Sequence, residues 1–273
     1  MPELPEVETV CRALRKLVLD ARIQEYLLLR EDYLRTGNEW IPNVKGCRIQ
    51  EIQRKGKIIA VHLNRNFTLL HHLGMSGRLL FAPSSEPLSA HTHLRVRLRD
   101  QHELRQHDPR RFGYVGIMQT DKLHEFAPWS KMGEDPFEIR EERFAALLQK
   151  RKRPIKTLLL EQHLIGGLGN IYIDEALFRA GIHPLRPAGE LSVHEAGTLL
   201  RQIRSVLNES IAAGGSSTSD FQKLDGTLGE FQLQHRVYGR EERPCKNCGT
   251  LVEKILLGGR GTHFCPACQP IWC

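Results

Sequence analysis

The sequence predicts a multidomain α+β fold: an N-terminal β-sandwich introduced by one helix, a helical middle, and a small C-terminal unit knit by cysteines. Three observations predict it. Short apolar-rich segments crowd the first half, and one of them, HLRVRLRD (His93 to Asp100), alternates strictly, as a half-buried strand does. After the stretch APWSKMGEDPF, residues 127–137, the apolar period lengthens from two to about 3.6. From Arg236 onward, polar turns and cysteines replace both patterns.

Seven segments read as strands: Arg22 to Leu29, Cys47 to Gln53, Lys57 to Leu63, Phe67 to Leu73, Arg78 to Phe81, His93 to Asp100 and Tyr114 to Met118. Seven or eight strands suffice for a sandwich or a small barrel. Before them Val7, Val10, Leu14 and Leu17 recur at helical spacing, which predicts a leading helix over residues 6–19. Pro5 suits an early helical position, and Glu6 and Glu8 suit the positive end of the helix dipole. Capping does not explain a second proline, Pro2, directly after Met1. Beyond the linker, helices are expected over 138–150, 155–162, 172–180 and 193–213, the second and third joined by the short HLIGGLGNI. The breaks divide the chain into residues 1–131, 132–235 and 236–273.

At 273 residues the chain is long for one domain and comfortable for two, and 40% hydrophobic with 26% charged residues reads as globular. Lysine and arginine outnumber aspartate and glutamate by 39 to 32, giving a net charge of +7 and a pI near 9.1. That balance favours an anionic partner, of which nucleic acid is the commonest. No signal-peptide pattern opens the chain, and no apolar run approaches the roughly 18 residues of a membrane span. A cytoplasmic protein with no membrane association is therefore expected, and, since no apolar seam suggests a dimer, a monomer with no obligate protein partner. In that compartment the seven cysteines are reduced thiols or metal ligands rather than disulfides.

The strongest local signal is Cys245-Lys-Asn-Cys248 followed, after sixteen intervening residues, by Cys265-Pro-Ala-Cys268. Two CxxC turns supply four thiolates for one tetrahedral zinc; the alternative is a pair of redox or disulfide-bonded turns. Between the pairs lies LLGGRGTHF, whose glycines permit a tight hairpin with Arg260 exposed at its tip. Cys11 and Cys47 read as core residues, and Cys273 as a spare thiol.

The remaining motifs are weaker one by one. DPRRFG (Asp108 to Gly113) sets two guanidinium groups beside an aromatic ring, and HHLGMSG (71–77) reads as a glycine-punctuated hairpin with Met75 at an exposed tip. Either could be an ordinary surface turn. An exposed methionine and phenylalanine on neighbouring loops are also the kind of apolar wedge that enters a base stack. RKGK (54–57) and QKRKRPIK (149–156) could be solvated basic runs, and GGLGNIY (166–172) could hold a phosphate on backbone amides or simply turn between helices.

Taken in order, PELPEVET, KGK, HLGMSG, DPRRFG, GLGNIY, VYGR, CxxC and GRGTHFCPxCQ resemble the bacterial formamidopyrimidine-DNA glycosylase family from Pro2 to Gln269. The resemblance implies a catalytic β-sandwich over 1–131, a helix-two-turn-helix domain over 132–235 and a zinc finger over 236–273. It implies a bifunctional base excision repair enzyme that removes 8-oxoguanine and formamidopyrimidines from damaged double-stranded DNA and then cuts the strand by β,δ-elimination. By position Pro2 would be the Schiff-base nucleophile once Met1 is removed, Glu3 the general acid/base, Lys57 a phosphate contact that assists base loss, and Arg260 the zinc-finger arginine of the δ-elimination step. His91, Arg110, Lys152 and Asn170 would contact DNA, with Met75, Arg110 and Phe112 filling the stack the flipped base leaves. Ser219 departs from the basic residue that members often carry in the loop that helps cover the flipped base. The rivals are an endonuclease VIII-like glycosylase for oxidised pyrimidines, against which LPEVET and DPRRFG argue, and a non-catalytic zinc-finger DNA-binding protein, which has no use for a free terminal proline.

Overall fold

The computed structural model describes residues 1–218 and 220–271; Ser219 and Cys273, on which two expectations fell, lie outside the described residues. The chain forms two compact units, Met1–Lys131 with Ala213–Glu230, and Met132–Ala212 with Phe231–Cys273. The packing boundary therefore differs from the sequence division over residues 213–230.

The first unit begins with helix α1 (Leu4–Leu17), two residues earlier than the apolar spacing indicates. A capping box sets this start: the extended Glu3 side chain accepts from the backbone of Glu6, whose own Oε2 accepts the Glu3 N–H at 2.7 Å. Leu4, Val7, Val10, Cys11 and Leu14 face the core, whereas Leu17 is 48% exposed. The helix ends there, and Val18, at its C-cap, is buried in the place Leu17 was expected to take.

Strands β1 (Ile23–Leu28), β6 (Thr92–Leu98), β7 (His102–His107) and β5 (Arg78–Pro83) make one antiparallel sheet in the order β1-β6-β7-β5. The other runs β2 (Ile49–Lys55), β3 (Ile58–Leu63), β4 (Phe67–His72) and β8 (Tyr114–Gln119). Ile59, Val61 and Leu69 from the second sheet share a buried cluster with Leu79, Leu94 and Val96 from the first, together with Cys11 and Cys47. Two one-turn helices, α2 (Ile41–Val44) and α3 (Ala127–Ser130), complete the periphery.

Strand β7 is the eighth strand, unread in the sequence because HELRQH has no apolar alternation. Its interior is ionic instead: Glu103 is fully buried and accepts from Arg95 at 3.0 and 2.8 Å and from Arg105, which also reaches the carbonyls of Pro83, Glu86 and Pro87. The returning segment 213–230 packs here too, with Phe221 and Leu224 in the sandwich core and the Phe81 N–H on the Leu224 carbonyl at 3.0 Å.

The second unit contains α4 (Glu141–Leu148), α5 (Ile155–Leu159), α6 (Asn170–Ala180), α7 (Val193–Ala212) and a hairpin of β9 (Glu253–Leu257) and β10 (Arg260–Phe264). Helix α5 stops three residues short of expectation because Gln162 turns inward. Its amide donates to the carbonyls of Leu160 (3.1 Å) and Leu168 (2.8 Å) and accepts the Gly167 N–H (3.0 Å), fixing the two turns between α5 and α6. Gly181, at φ +67°, terminates α6 in the left-handed conformation that glycine adopts without penalty. Helix α7 packs on α4 and α6 through Leu199, Leu200, Ile203, Val206 and Leu207. Among the described residues no helix is long and apolar enough to cross a membrane.

Candidate functional site

In the first unit, Pro2 and Glu3 are buried at the N-terminus of α1 rather than trailing loosely. Glu6 ties this terminus to the returning loop, since its Oε1 accepts the Ser216 N–H at 2.8 Å. Glu8 lies beyond the first turn and does not serve the dipole. It is an ion-pair hub instead, accepting from Arg12 (3.1 Å) and Arg15 (3.2 Å) on its own helix and from Arg54 of β2 (3.1 Å). Burial pushes the Glu8 carboxyl pKa up, but the three guanidinium groups outweigh it and hold the value below the ordinary one.

Lys57 occupies the two-residue turn between β2 and β3, after Gly56 at φ +56°. It is only 7% exposed, so RKGK is not a solvated run. Its neighbour His72, at the end of β4, stacks on Tyr114 with ring centroids 4.9 Å apart. Burial, reinforced by the cations of Lys57 and Arg35, pushes His72 down to about 4. The imidazole is therefore neutral at pH 7, and its Nδ1 accepts the Gly74 N–H at 3.2 Å.

Met75, His91, Arg110 and Phe112 come together at one end of the sandwich. A Cβ on Gly74 would meet the Gly113 nitrogen at 2.3 Å, so the Met75 loop and the DPRRFG loop touch where only glycine fits. That close approach leaves Met75 half-buried, not fully exposed as expected. Phe112 is 53% exposed, with the Arg110 guanidinium 4.8 Å from its ring centroid. His91 is exposed, at φ +66°, and its carbonyl accepts the Asp108 N–H at 3.0 Å.

In the second unit, Asn170 opens α6 and its amide donates to the Gly261 carbonyl at 2.9 Å. Gly261 follows Arg260, which is exposed and is the first residue of β10, one position past the Gly258-Gly259 tip. The same carbonyl accepts from Lys156 of α5 at 3.1 Å, and Lys156, fully buried, pairs with Asp174 of α6 at 2.6 Å. Asp174 also accepts the His263 N–H at 2.9 Å. Two elements thus hold the hairpin that carries Arg260. Lys152 stands apart on the exposed link between α4 and α5.

The four sulfurs of Cys245, Cys248, Cys265 and Cys268 lie within 4.8 Å of one another, with three pairs at 3.5 to 3.8 Å. Four thiolates about 2.3 Å from a tetrahedral zinc would sit roughly 3.8 Å apart, so the residues fit one structural zinc. Phe178, Val237 and Val252 pack around Cys245 and Cys265. The VYGR segment before the first pair is held by Glu175 of α6, whose fully buried carboxylate accepts the N–H groups of Arg236, Val237 and Tyr238 at 2.9 to 3.0 Å.

Sequence reasoning missed Asp108, Lys156, Asp174, Glu175 and the second contact of Glu6. Each acts through a partner remote along the chain, 105 residues away for Lys156 and Gly261, and no local spacing signals such a pair.

Three family descriptions match the chain: the formamidopyrimidine-DNA glycosylase N-terminal domain over residues 1–115, the formamidopyrimidine-DNA glycosylase H2TH domain over 132–222, and the zinc finger found in FPG and IleRS over 243–271. Formamidopyrimidine-DNA glycosylases from an Exiguobacterium species and from Bacillus subtilis are 42% and 41% identical, with 98% of this chain and 99% of each relative covered. Among solved structures, the Lactococcus lactis Fpg bound to DNA containing an abasic site superposes with a TM-score of 0.92 at 36% identity, over 98% of this chain and 99% of that one. The Thermus thermophilus protein does so at 0.88 and 42%, over 98% of both chains. With the sandwich, the two-turn helix pair and the four-cysteine site all in place, the chain belongs to the formamidopyrimidine-DNA glycosylase family.

Proposed function

We propose that the protein is a bifunctional DNA glycosylase and AP lyase of base excision repair, acting in the cytoplasm on 8-oxoguanine and formamidopyrimidines in duplex DNA. The observation that carries the reading is the terminus: Pro2 is buried directly before Glu3, whose side chain caps α1, where a mere helix start needs no second proline. With Met1 removed, Pro2 is a secondary amine whose pKa of about 8 lies well below that of lysine, so a larger share is unprotonated at neutral pH. Attack on the sugar C1′ expels the base and leaves an iminium that cannot lose a proton from nitrogen, which keeps it an electron sink for elimination. Glu3 moves the protons, Lys57 and Arg260 bind flanking phosphates and assist base loss and δ-elimination, and His91, Lys152 and Asn170 contact the backbone. Met75, Arg110 and Phe112 occupy the vacated stack. In this reading residues 1–131, 132–235 and 236–273 are the catalytic, helix-two-turn-helix and zinc-finger parts.

Borohydride trapping tests it. The wild-type protein should form a covalent adduct with an 8-oxoguanine duplex in preference to one carrying an oxidised pyrimidine. Pro2→Gly or retention of Met1 should severely impair excision, and Glu3→Gln should slow it by about 100-fold or more. Full activity with Met1 verified by mass spectrometry would sink the amine mechanism. A relative from Lactococcus lactis has been crystallised with DNA containing an oxidised pyrimidine, so the relative rates, rather than the presence of an adduct, separate this reading from the pyrimidine-specific one.

A further inference from the structure

Met75, His91, Arg110 and Phe112 lie on three separate loops, and a single residue that none of the proposed roles uses connects all three. Asp108 is completely buried, and the hydrogen-bond partners of its carboxylate are neutral. Oδ1 accepts the Ser76 hydroxyl at 2.6 Å; Oδ2 accepts the Gly113 N–H at 2.8 Å and the Tyr33 hydroxyl at 3.1 Å. Ser76 follows Met75, and its Oγ accepts the Arg110 N–H at 3.2 Å, so one hydroxyl bridges both wedge loops. The backbone of Asp108 adds the third loop by donating to the His91 carbonyl at 3.0 Å, while its own carbonyl bonds His93 Nε2 at 2.8 Å. Behind it, Tyr33 accepts from Gln106 at 3.0 Å and Gln106 meets His71 Nδ1 at 2.8 Å, which anchors the cluster in the sandwich interior.

We propose that Asp108 is a positioning residue for lesion extrusion: by clamping the Met75 and Arg110–Phe112 loops to its carboxylate and the His91 loop to its backbone, it presents the wedge preformed to DNA. The proposal rests on the wedge reading given above. Inserting side chains into a base stack already costs unstacking energy, and ordering three loops at the same moment would add conformational entropy to that cost. A carboxylate suits the task because it accepts several hydrogen bonds at once and each is stronger than one between neutral groups.

The test compares two substrates under single-turnover conditions: a duplex with 8-oxoguanine opposite cytosine, whose base must be extruded, and a duplex with an abasic site, which has no base to extrude. Asp108→Asn should lower excision roughly tenfold more than it lowers cleavage of the abasic duplex. Ser76→Ala should shift the same ratio in the same direction by less. In a Phe112→Ala background, Asp108→Asn should add little further loss of excision, because its action runs through the wedge. Equal losses on both substrates would reduce Asp108 to a structural role and overturn the proposal, as would full additivity with Phe112→Ala. If Phe112→Ala itself fails to separate the two substrates, the wedge reading is what fails, and the clamp falls with it. Should Asp108→Asn not fold, as judged by thermal unfolding, Ser76→Ala decides by the same ratio.

Discussion

The sandwich and the cysteine hairpin each present an arginine, and they hold it by different means. Arg110 stands on a loop backed by two four-stranded sheets, a continuous apolar cluster and the Asp108 hydrogen bonds. Arg260 stands on a two-stranded hairpin whose apolar support is little more than Phe178, Val237 and Val252 around the cysteines. A unit that small cannot bury enough surface to order itself, so a metal and a buried ion pair take the place of a core. The same side chain is thus robust at one place and conditional on zinc at the other.

The largest effect should come from removing that metal. A structural zinc supplies about 10 to 16 kcal/mol of apparent binding free energy, so chelation or Cys248→Ser should release zinc, loosen the Arg260 hairpin and weaken DNA binding, while hydrogen exchange in the sandwich strands stays protected. Unchanged zinc content and affinity in Cys248→Ser would contradict the comparison. Lys156→Met should come next, because it leaves the Asp174 carboxylate buried without its cation; a destabilisation of about 3 to 5 kcal/mol is expected in urea unfolding, largely restored by adding Asp174→Leu. If Lys156→Met is neutral, the hairpin does not depend on that pair.

The smallest effect is one of pH. His235 is buried between Phe231 and Tyr238, and burial pushes its pKa down to about 4. Between the ordinary histidine value and about 4 the unfolded chain binds a proton that the folded one does not, so stability falls as pH drops through that window. The total is at most about 3 kcal/mol. Denaturant titrations at pH 7 and pH 4 should show a smaller loss for His235→Phe than for the wild-type protein; equal losses would place the acid sensitivity elsewhere.

Much of the fold was legible because its signals are local. Alternation in HLRVRLRD gave β6, the spacing of Val7, Val10 and Leu14 gave α1, and two CxxC turns gave the zinc site. Strand β7 was invisible because Leu104 is its one apolar residue, and buried side chains such as Glu103 and Arg105 on one face and Gln106 on the other read as surface residues until Arg95, the carbonyls of a neighbouring loop and Tyr33 are brought against them. The candidate site divides in the same way. Pro2 stood out as a residue that helix capping does not require, whereas Glu3 proves to be the cap itself, and Arg260 stood out as the one arginine in a glycine-rich turn. Lys57 and Lys156 looked like members of solvated basic runs and are buried.

The sequence by itself therefore determined the type and order of most elements, though not their ends, together with which thiols gather round a metal and which family motifs the chain carries, since each depends on neighbours a few residues away. The tertiary structure alone decided which charges lie inside. Burying Asp108, Glu103 or Lys156 costs too much without partners, and those partners are delivered only by folding: Tyr33, 75 residues from Asp108, and Gly261, 105 residues from Lys156.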